Sequence, residues 1–151
     1  MRTLQEKLIE ELLVDCGETT RIKVASYGFC LDILMYDKSP NVRYEVVKHN
    51  HRLDIFINDE NPSIRAAVAD QGYGLKRLVK DKHAWVRDAV ARQGYGGHIL
   101  INDICKYVRM EVANQGYGLD VLVNDLDADV REVAKRKLRE IEYENSRRNI
   151  K

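Results

Sequence analysis

The side chains best suited to binding a metal or acting as a nucleophile are few and scattered in this 151-residue chain. They are four histidines and three cysteines: His49, His51, His83, His98, Cys16, Cys30 and Cys105. Zinc sites place such residues at short, regular spacings, and these residues do not follow one. The sequence therefore predicts no metal site and no cofactor. An odd, widely spaced set of cysteines also differs from a disulfide framework and suits a reducing compartment, so we expect a cytoplasmic protein.

Other signatures of catalysis are equally weak. Gly-x-Gly recurs, as in Gly72-Tyr73-Gly74, but no predicted strand precedes it and no Lys-Ser/Thr follows it, so a phosphate-binding loop is not predicted. Cys105 falls at a predicted helix N-terminus, where a thiol can be activated, but it lacks a suitably spaced basic partner. Trp85, the only tryptophan, precedes Val86-Arg87, where packing explains it. We expect no catalytic residues and no enzymatic activity.

An internal repeat determines the secondary structure on which these residues would lie. Three close copies begin at Val68, Val90 and Val112, and the first reads Val-Ala-Asp-Gln-Gly-Tyr-Gly-Leu. Their spacing is 22 residues, and the same step carries one Asp-x5-Arg element per unit. After Asp15 and Arg21, these columns contain Asp37, Arg43, Asp59, Arg65, Asp81, Arg87, Asp103, Arg109, Asp125 and Arg131. A fixed period of this length is typical of a repeat architecture.

Each unit divides into two short helices. Asn61 is a good N-cap, followed by a proline suited to the first helical position, so helix A is predicted over Pro62 to Asp70. Gly72 and Gly74 allow the turn with φ > 0 that ends it, and helix B is predicted over Leu75 to Lys80. Helices this short are marginal alone and must stack on their neighbours. The sequence therefore predicts an all-α fold, a right-handed α-solenoid of about six two-helix repeats.

One helical-repeat domain is predicted over residues 1–151. Repeats would occupy residues 20–127, between an N-terminal capping helix over 1–19 and a longer, charged capping helix over 128–151, because polar ends keep a stack soluble. The formal net charge is +1, but residues 1–20 carry two basic and five acidic side chains, and residues 130–151 eight basic and four acidic ones. No stretch approaches the roughly 20 apolar residues of a membrane span, so no membrane association is expected.

The Asp-x5-Arg element carries valine or isoleucine before the arginine, as in Asp37…Val42-Arg43, and it resembles the signature of HEAT repeats. The short period and the Val-Arg-x-x-Val-Ala core are similar to the leucine-rich repeat variant, a bacterial relative. The resemblance covers nearly the whole chain, although the clustered cysteines of the iron–sulfur member of that variant are missing. It implies a superhelical fold and binding to proteins, while a few HEAT-like proteins are DNA glycosylases acting on alkylated bases.

The repeat places its polar columns in distinct roles. The Asp and Arg columns are interpreted as a ladder in which each aspartate accepts bonds from a helix N-terminus and from arginines of its own or the next unit. The turns place Tyr73, Tyr95 and Tyr117 in one row and Gln71, Gln93 and Gln115 in another; Phe29 and His51 precede the first row, Tyr27 and His49 the second. Exposed aromatic residues make good interface anchors. Packing of each ring on its own turn and the next unit is nevertheless the favoured interpretation, and the glutamines are expected to satisfy turn backbone groups.

Helix B is expected to line the concave side and to present two outward positions per unit. These are Asp32 and Tyr36, Asp54 and Asn58, Lys76 and Lys80, His98 and Asn102, and Asp120 and Asn124. Their mixed signs lack the continuous positive stripe that tracking a phosphate backbone requires. The leading hypothesis is a non-enzymatic protein–protein interaction or scaffolding module with a protein partner. The alternatives are a nucleic-acid-binding or DNA-repair HEAT-like protein, suggested by the basic C-terminal helix with Tyr143, and a self-assembling structural protein that associates weakly head to tail.

Overall fold

The computed structural model describes Leu13 and residues 16–148, and these residues contain eleven helices and no strand. Five helices of nine residues alternate with five of four residues, and a final helix of 21 residues follows. They are α1 (Glu18–Ser26), α2 (Leu31–Leu34), α3 (Pro40–Lys48), α4 (Leu53–Phe56), α5 (Pro62–Asp70), α6 (Leu75–Leu78), α7 (Ala84–Arg92), α8 (Gly97–Leu100), α9 (Lys106–Asn114), α10 (Leu119–Leu122) and α11 (Ala128–Arg148). The predicted all-α class is confirmed for this part of the chain.

The predicted terminal helices fall differently on the described residues. The N-terminal capping helix over 1–19 lies largely on residues 1–12, 14 and 15, which are outside the described residues, as are 149–151. Asp15, the first member of the aspartate column, is therefore also outside them. At the other end α11 begins at Ala128, as predicted, and its last seven residues, 142–148, are all exposed.

Side-chain caps mark the start of two of the nine-residue helices, α3 and α5. Asn61 Oδ1 accepts a hydrogen bond from the backbone N–H of Ser63 at 2.8 Å, and Pro62 occupies the first helical position of α5. The predicted bounds of helix A in this unit, Pro62 to Asp70, are confirmed at both ends. The N-cap positions of α7 and α9 are taken by His83 and Cys105, whose side chains make no capping bond.

Left-handed residues connect each nine-residue helix to the following four-residue helix. Gly72 and Gly74 have φ of +74° and +66° in the turn between α5 and α6. A Cβ atom on Gly74 would lie 2.2 Å from Cδ1 of Ile57, so this turn also packs closely on the preceding unit. Asn50 and Arg52 adopt the same left-handed conformation in the equivalent turn between α3 and α4.

The four-residue helices are shorter than predicted. α6 ends at Leu78 and not at Lys80, because the N–H groups of Lys80 and Asp81 bond to carbonyls only three residues back. This tightening satisfies carbonyls at the helix end and turns the chain toward the next unit. Val79, which follows α6, is buried in the core.

The helices pack in the order of the chain. The nine-residue helices contact one another in sequence, α1 with α3, α3 with α5, α5 with α7 and α7 with α9, and α9 contacts α11. One continuous core lies between the two kinds of helix. The long helices contribute Val46, Val68, Val90 and Val112, and the short helices Leu34, Phe56, Leu78, Leu100 and Leu122, all at the 22-residue step and all buried. None of the helices in the described residues combines the length and the apolar character needed to cross a membrane.

Candidate interaction surfaces

The ladder of aspartates and arginines links successive units through paired hydrogen bonds. Each of the five arginines from Arg21 to Arg109 binds the aspartate 16 residues later, with Nε to Oδ2 distances of 2.5–2.8 Å and Nη2 to Oδ1 distances of 2.8–3.2 Å. The pairs are Arg21 with Asp37, Arg43 with Asp59, Arg65 with Asp81, Arg87 with Asp103, and Arg109 with Asp125. This two-bond geometry fixes orientation as well as distance.

Further bonds occupy the remaining polar atoms of the ladder. In the central rung, Arg65 Nη1 donates to the carbonyl of Asp59 at 2.7 Å, and Asp81 Oδ1 accepts from the backbone N–H of His83 at 2.8 Å. Each aspartate thus accepts a hydrogen bond from the backbone of the turn before its nine-residue helix, and further bonds from the arginine of the preceding nine-residue helix. For the described aspartates, from Asp37 to Asp125, the carboxylate does not bond the arginine of its own Asp-x5-Arg element, and that arginine reaches only the backbone carbonyl of the aspartate.

Electrostatics within the ladder favour charged aspartates. Burial raises the pKa of Asp81, but the bonds from Arg65 and the His83 N–H outweigh burial, so the pKa lies below its usual value. The same balance lowers the pKa of Asp37 and Asp103. The ladder ends at Arg131, because the residue 16 positions later is Arg147; within the described residues Arg131 bonds only backbone carbonyls, including that of Asp125 at 2.7 Å.

The turn row, defined as Tyr73, Tyr95 and Tyr117, is half-exposed. The three tyrosines are 42%, 39% and 47% exposed. A Cβ atom on Gly97 would lie 2.6 Å from the ring of Tyr117, so this ring rests on the backbone of the preceding unit. Each turn-row side chain therefore presents a partly covered aromatic surface to solvent.

The glutamine row next to it does not hold the turns together. Gln71, Gln93 and Gln115 are exposed. Within the described residues their side chains make no bond to the turn backbone, and Gln115 Nε2 instead donates to Glu111 Oε1 at 2.8 Å. The expectation that they satisfy turn backbone groups was wrong, because the turn is closed by backbone bonds such as Gly72 N–H to the carbonyl of Ala69.

The short-helix face is defined as the ten predicted outward residues, five within the four-residue helices and five located two residues after their ends, and all ten are exposed. Asp32 lies 2.9 Å from His51 Nε2, and Asp54 pairs with Arg52. Lys76 and Lys80, together with His98, Asn102 and Asp120, have no side-chain bond within the described residues. The remaining members are Tyr36, Asn58 and Asn124. A cationic segment on α6 is thus bordered by acidic segments on α2 and α4 and on α10.

A third surface, the edge patch, was missed by sequence reasoning. It consists of Trp85, Ile104, Tyr107 and Leu126, which are 65%, 94%, 64% and 99% exposed. The interpretation of Trp85 as a packed residue was wrong, because it is the second residue of α7 and points away from the buried Val86 side of the helix. Its only aromatic neighbour in the described residues is His83, with ring centroids 5.1 Å apart.

The groups considered for chemistry remain apart. Among residues 16–148 and Leu13, no three His, Cys, Asp or Glu side chains are placed to hold a metal ion. Cys16, Cys30 and Cys105 are free thiols and are partly buried. His49 is exposed in its turn, and His51 faces Asp32 rather than a second histidine.

Comparison with known proteins gave no match, whether to models of protein families, to curated proteins or to solved structures. The resemblance to HEAT repeats and to the leucine-rich repeat variant therefore stays a prediction from the motif.

Proposed function

We propose that this chain is a non-enzymatic protein–protein interaction module, built as a right-handed α-solenoid of about six 22-residue repeats of the HEAT-like type. The contacts of each nine-residue helix with its predecessor and successor support the solenoid. The regular 16-residue reach of the ladder supports a constant geometry between units.

The functional part of the proposal rests on a contrast between polar side chains that are bonded within the fold and polar side chains that are exposed without such a bond. The ladder carboxylates are hydrogen-bonded within the fold. That of Asp81, for example, accepts bonds from Arg65 and from the His83 N–H. Lys76 and Lys80 are exposed and engage no described side chain. An ordered surface with unsatisfied charges and half-exposed aromatic residues suits recognition of another protein.

Nucleic acid is the weaker candidate for the partner. The short-helix face carries Asp32, Asp54 and Asp120 beside its lysines, and carboxylates repel phosphates. The specific observation in its favour is the exposed end of α11, where the Arg147 guanidinium lies 5.8 Å from the ring centroid of Tyr143.

Capture from an extract of the source organism, followed by mass spectrometry, tests the proposal. The baits are the native chain, a Lys76→Glu/Lys80→Glu variant and a Tyr73→Ser/Tyr95→Ser variant, each checked for an unchanged helical circular dichroism spectrum. A protein enriched on the native bait and lost from either variant is expected. Equal recovery on all three baits contradicts these surfaces, and salt-sensitive DNA binding by the native chain moves the assignment to nucleic acid.

A further inference from the structure

We propose that the edge patch is a docking site for a short apolar peptide segment that carries acidic residues at one end, a proposal that rests on the interaction function above. The patch lies at the opposite end of the nine-residue helices from the turn row. It runs along the N-terminal edge of α7, α9 and α11.

The repeat makes the four patch residues neighbours. Trp85 and Tyr107 are both the second residue of a nine-residue helix, one unit apart, and α7 contacts α9. Ile104 and Leu126 both lie two residues before a helix, again one unit apart, and α9 contacts α11. Successive packed helices are about 8–10 Å apart, so the four residues follow one edge of three successive units with neighbouring positions close together.

The fold gives no packing reason for apolar residues at these positions. In the earlier units the position of Trp85 and Tyr107 holds Asn41 and Ser63, both exposed. The position of Ile104 and Leu126 holds Lys38, Glu60 and Lys82, also exposed. The apolar character is confined to consecutive units, as expected of a binding surface on a repeat scaffold.

The ladder holds the backbone of the patch in place. Arg131 Nη1 donates to the carbonyl of Leu126 at 2.9 Å, and the same side chain bonds the Asp125 carbonyl. The equivalent bond from Arg109 Nη1 to the carbonyl of Ile104 is 3.5 Å long. Both aliphatic side chains therefore project from fixed backbone, which lowers the entropy lost when a partner binds.

The size of the patch favours a peptide over a second copy of the chain. Trp85 and Tyr107 each expose about two-thirds of a side chain that covers about 150–250 Å², which is about 130 Å² apiece. Ile104 and Leu126 are almost fully exposed, and each adds about 100 Å² of apolar side-chain surface. The resulting area of about 450 Å² is typical of a functional patch, and it falls short of the about 800 Å² that each side of a stable dimer buries.

Charge at the border of the patch selects the acidic flank. Lys82 is exposed, occupies the position equivalent to Ile104 one unit earlier, and has no ion pair among the described residues. Lys106, the other cation at the patch, pairs with Asp129 at 2.7 Å and Asp127 at 3.4 Å, so one excess negative charge lies at the Leu126 end of the patch. Lys82 places its positive charge at the opposite, Trp85 end, where it attracts the acidic end of the peptide.

The single tryptophan provides the assay. The probe is a short synthetic peptide without tryptophan, with a leucine–phenylalanine core followed by two glutamates; one twin has lysines for the glutamates, and another has serines for the apolar residues. We expect the acidic probe to shift Trp85 emission saturably to shorter wavelength and to bind about tenfold more tightly than the lysine twin, and the serine twin not to bind. Lys82→Glu is expected to reverse the order of the two charged peptides.

Matched variants decide the location. Ile104→Ser/Leu126→Ser should abolish the shift, while Ile99→Ser/Val121→Ser, which alters exposed apolar residues of α8 and α10, should leave it unchanged. Absence of a saturable shift in the native chain, or an equal shift after the Ile104 and Leu126 substitutions, overturns the proposal. A native dimer in sedimentation equilibrium that the same substitutions dissociate overturns it in favour of a second copy. If peptide binding fails while the capture experiment still finds a partner lost from the lysine or tyrosine variants, only the edge-patch proposal falls.

Discussion

The rung formed by Arg65 and Asp81 allows a direct test of the ladder, by the substitution Arg65→Ala. Arg65 makes four hydrogen bonds, two to the Asp81 carboxylate at 2.7 and 2.9 Å and two to the carbonyls of Asp59 and Glu60. The side chains of the ion pair are only 8% and 10% exposed. Its loss would leave a buried carboxylate with only the His83 N–H, and breaking a buried pair in this way costs about 3–5 kcal/mol.

Arg92→Ala is the matched control, since Arg92 lies in the neighbouring nine-residue helix α7. Arg92 also contacts two carboxylates, those of Asp70 and Asp88, but it is 43% exposed. Exposed pairs contribute about 0–1 kcal/mol, so we expect a correspondingly small loss. Urea unfolding followed by far-ultraviolet circular dichroism measures both free energies of unfolding. Equal costs for the two substitutions would refute the ladder as the feature that holds the units in register.

Three further predictions concern charge and turn geometry. The pKa values of Asp37, Asp81, Asp103 and Asp125 are lower in the folded chain than in the unfolded one. These aspartates therefore stabilise the fold fully above the unfolded pKa of about 3.9, and the stabilisation is lost as the pH falls through the folded pKa values. Thermal melts should show the unfolding midpoint falling as the pH is lowered through and below about 3.9. Gly74→Ala should lower the free energy of unfolding by about 1–2 kcal/mol because of the positive φ at this position, with a further loss from contact with Ile57. Gly17→Ala should leave the free energy of unfolding in urea nearly unchanged, because Gly17 has φ of −61° and open space around it. Arg52→Gly should stabilise the chain by about 0.5–1 kcal/mol, because relief of left-handed strain exceeds the entropy that glycine adds to the unfolded state; an unchanged or lower unfolding midpoint would contradict this.

Sequence periodicity predicted the local structure of the units well. Capping by Asn61 and the proline after it set the bounds of α5, because N-caps and helix-ending glycines act through bonds to residues close in the chain. The 22-residue step likewise identified the arginine and aspartate columns. The predicted direction of pairing was wrong: the Asp81 carboxylate bonds Arg65 of the preceding unit and not an arginine of its own or the next unit, a contact that depends on how two units stack.

Exposure was the least predictable property of the candidate surfaces. The interpretation of Trp85 as packed, from its place before Val86-Arg87, was wrong because this position faces solvent in every described unit. The signal was present in the columns, since Asn41 and Ser63 occupy the same position in earlier units. A comparison across units at each position, not only along one helix, would have identified Trp85 as exposed.

The most direct test of the interaction function is quantitative capture with four baits: the native chain, Lys76→Glu/Lys80→Glu, Ile104→Ser/Leu126→Ser and Ile99→Ser/Val121→Ser. All four are expected to keep the same helical spectrum and the same free energy of unfolding to within about 0.5 kcal/mol, since surface changes away from buried features have small effects. We expect a protein that the native chain and the Ile99/Val121 control recover equally and that at least one of the other two variants loses. Failure of the native chain to enrich any protein over a blank bait would contradict the interaction function, and equal enrichment on all four baits would contradict binding through the lysines or the edge patch.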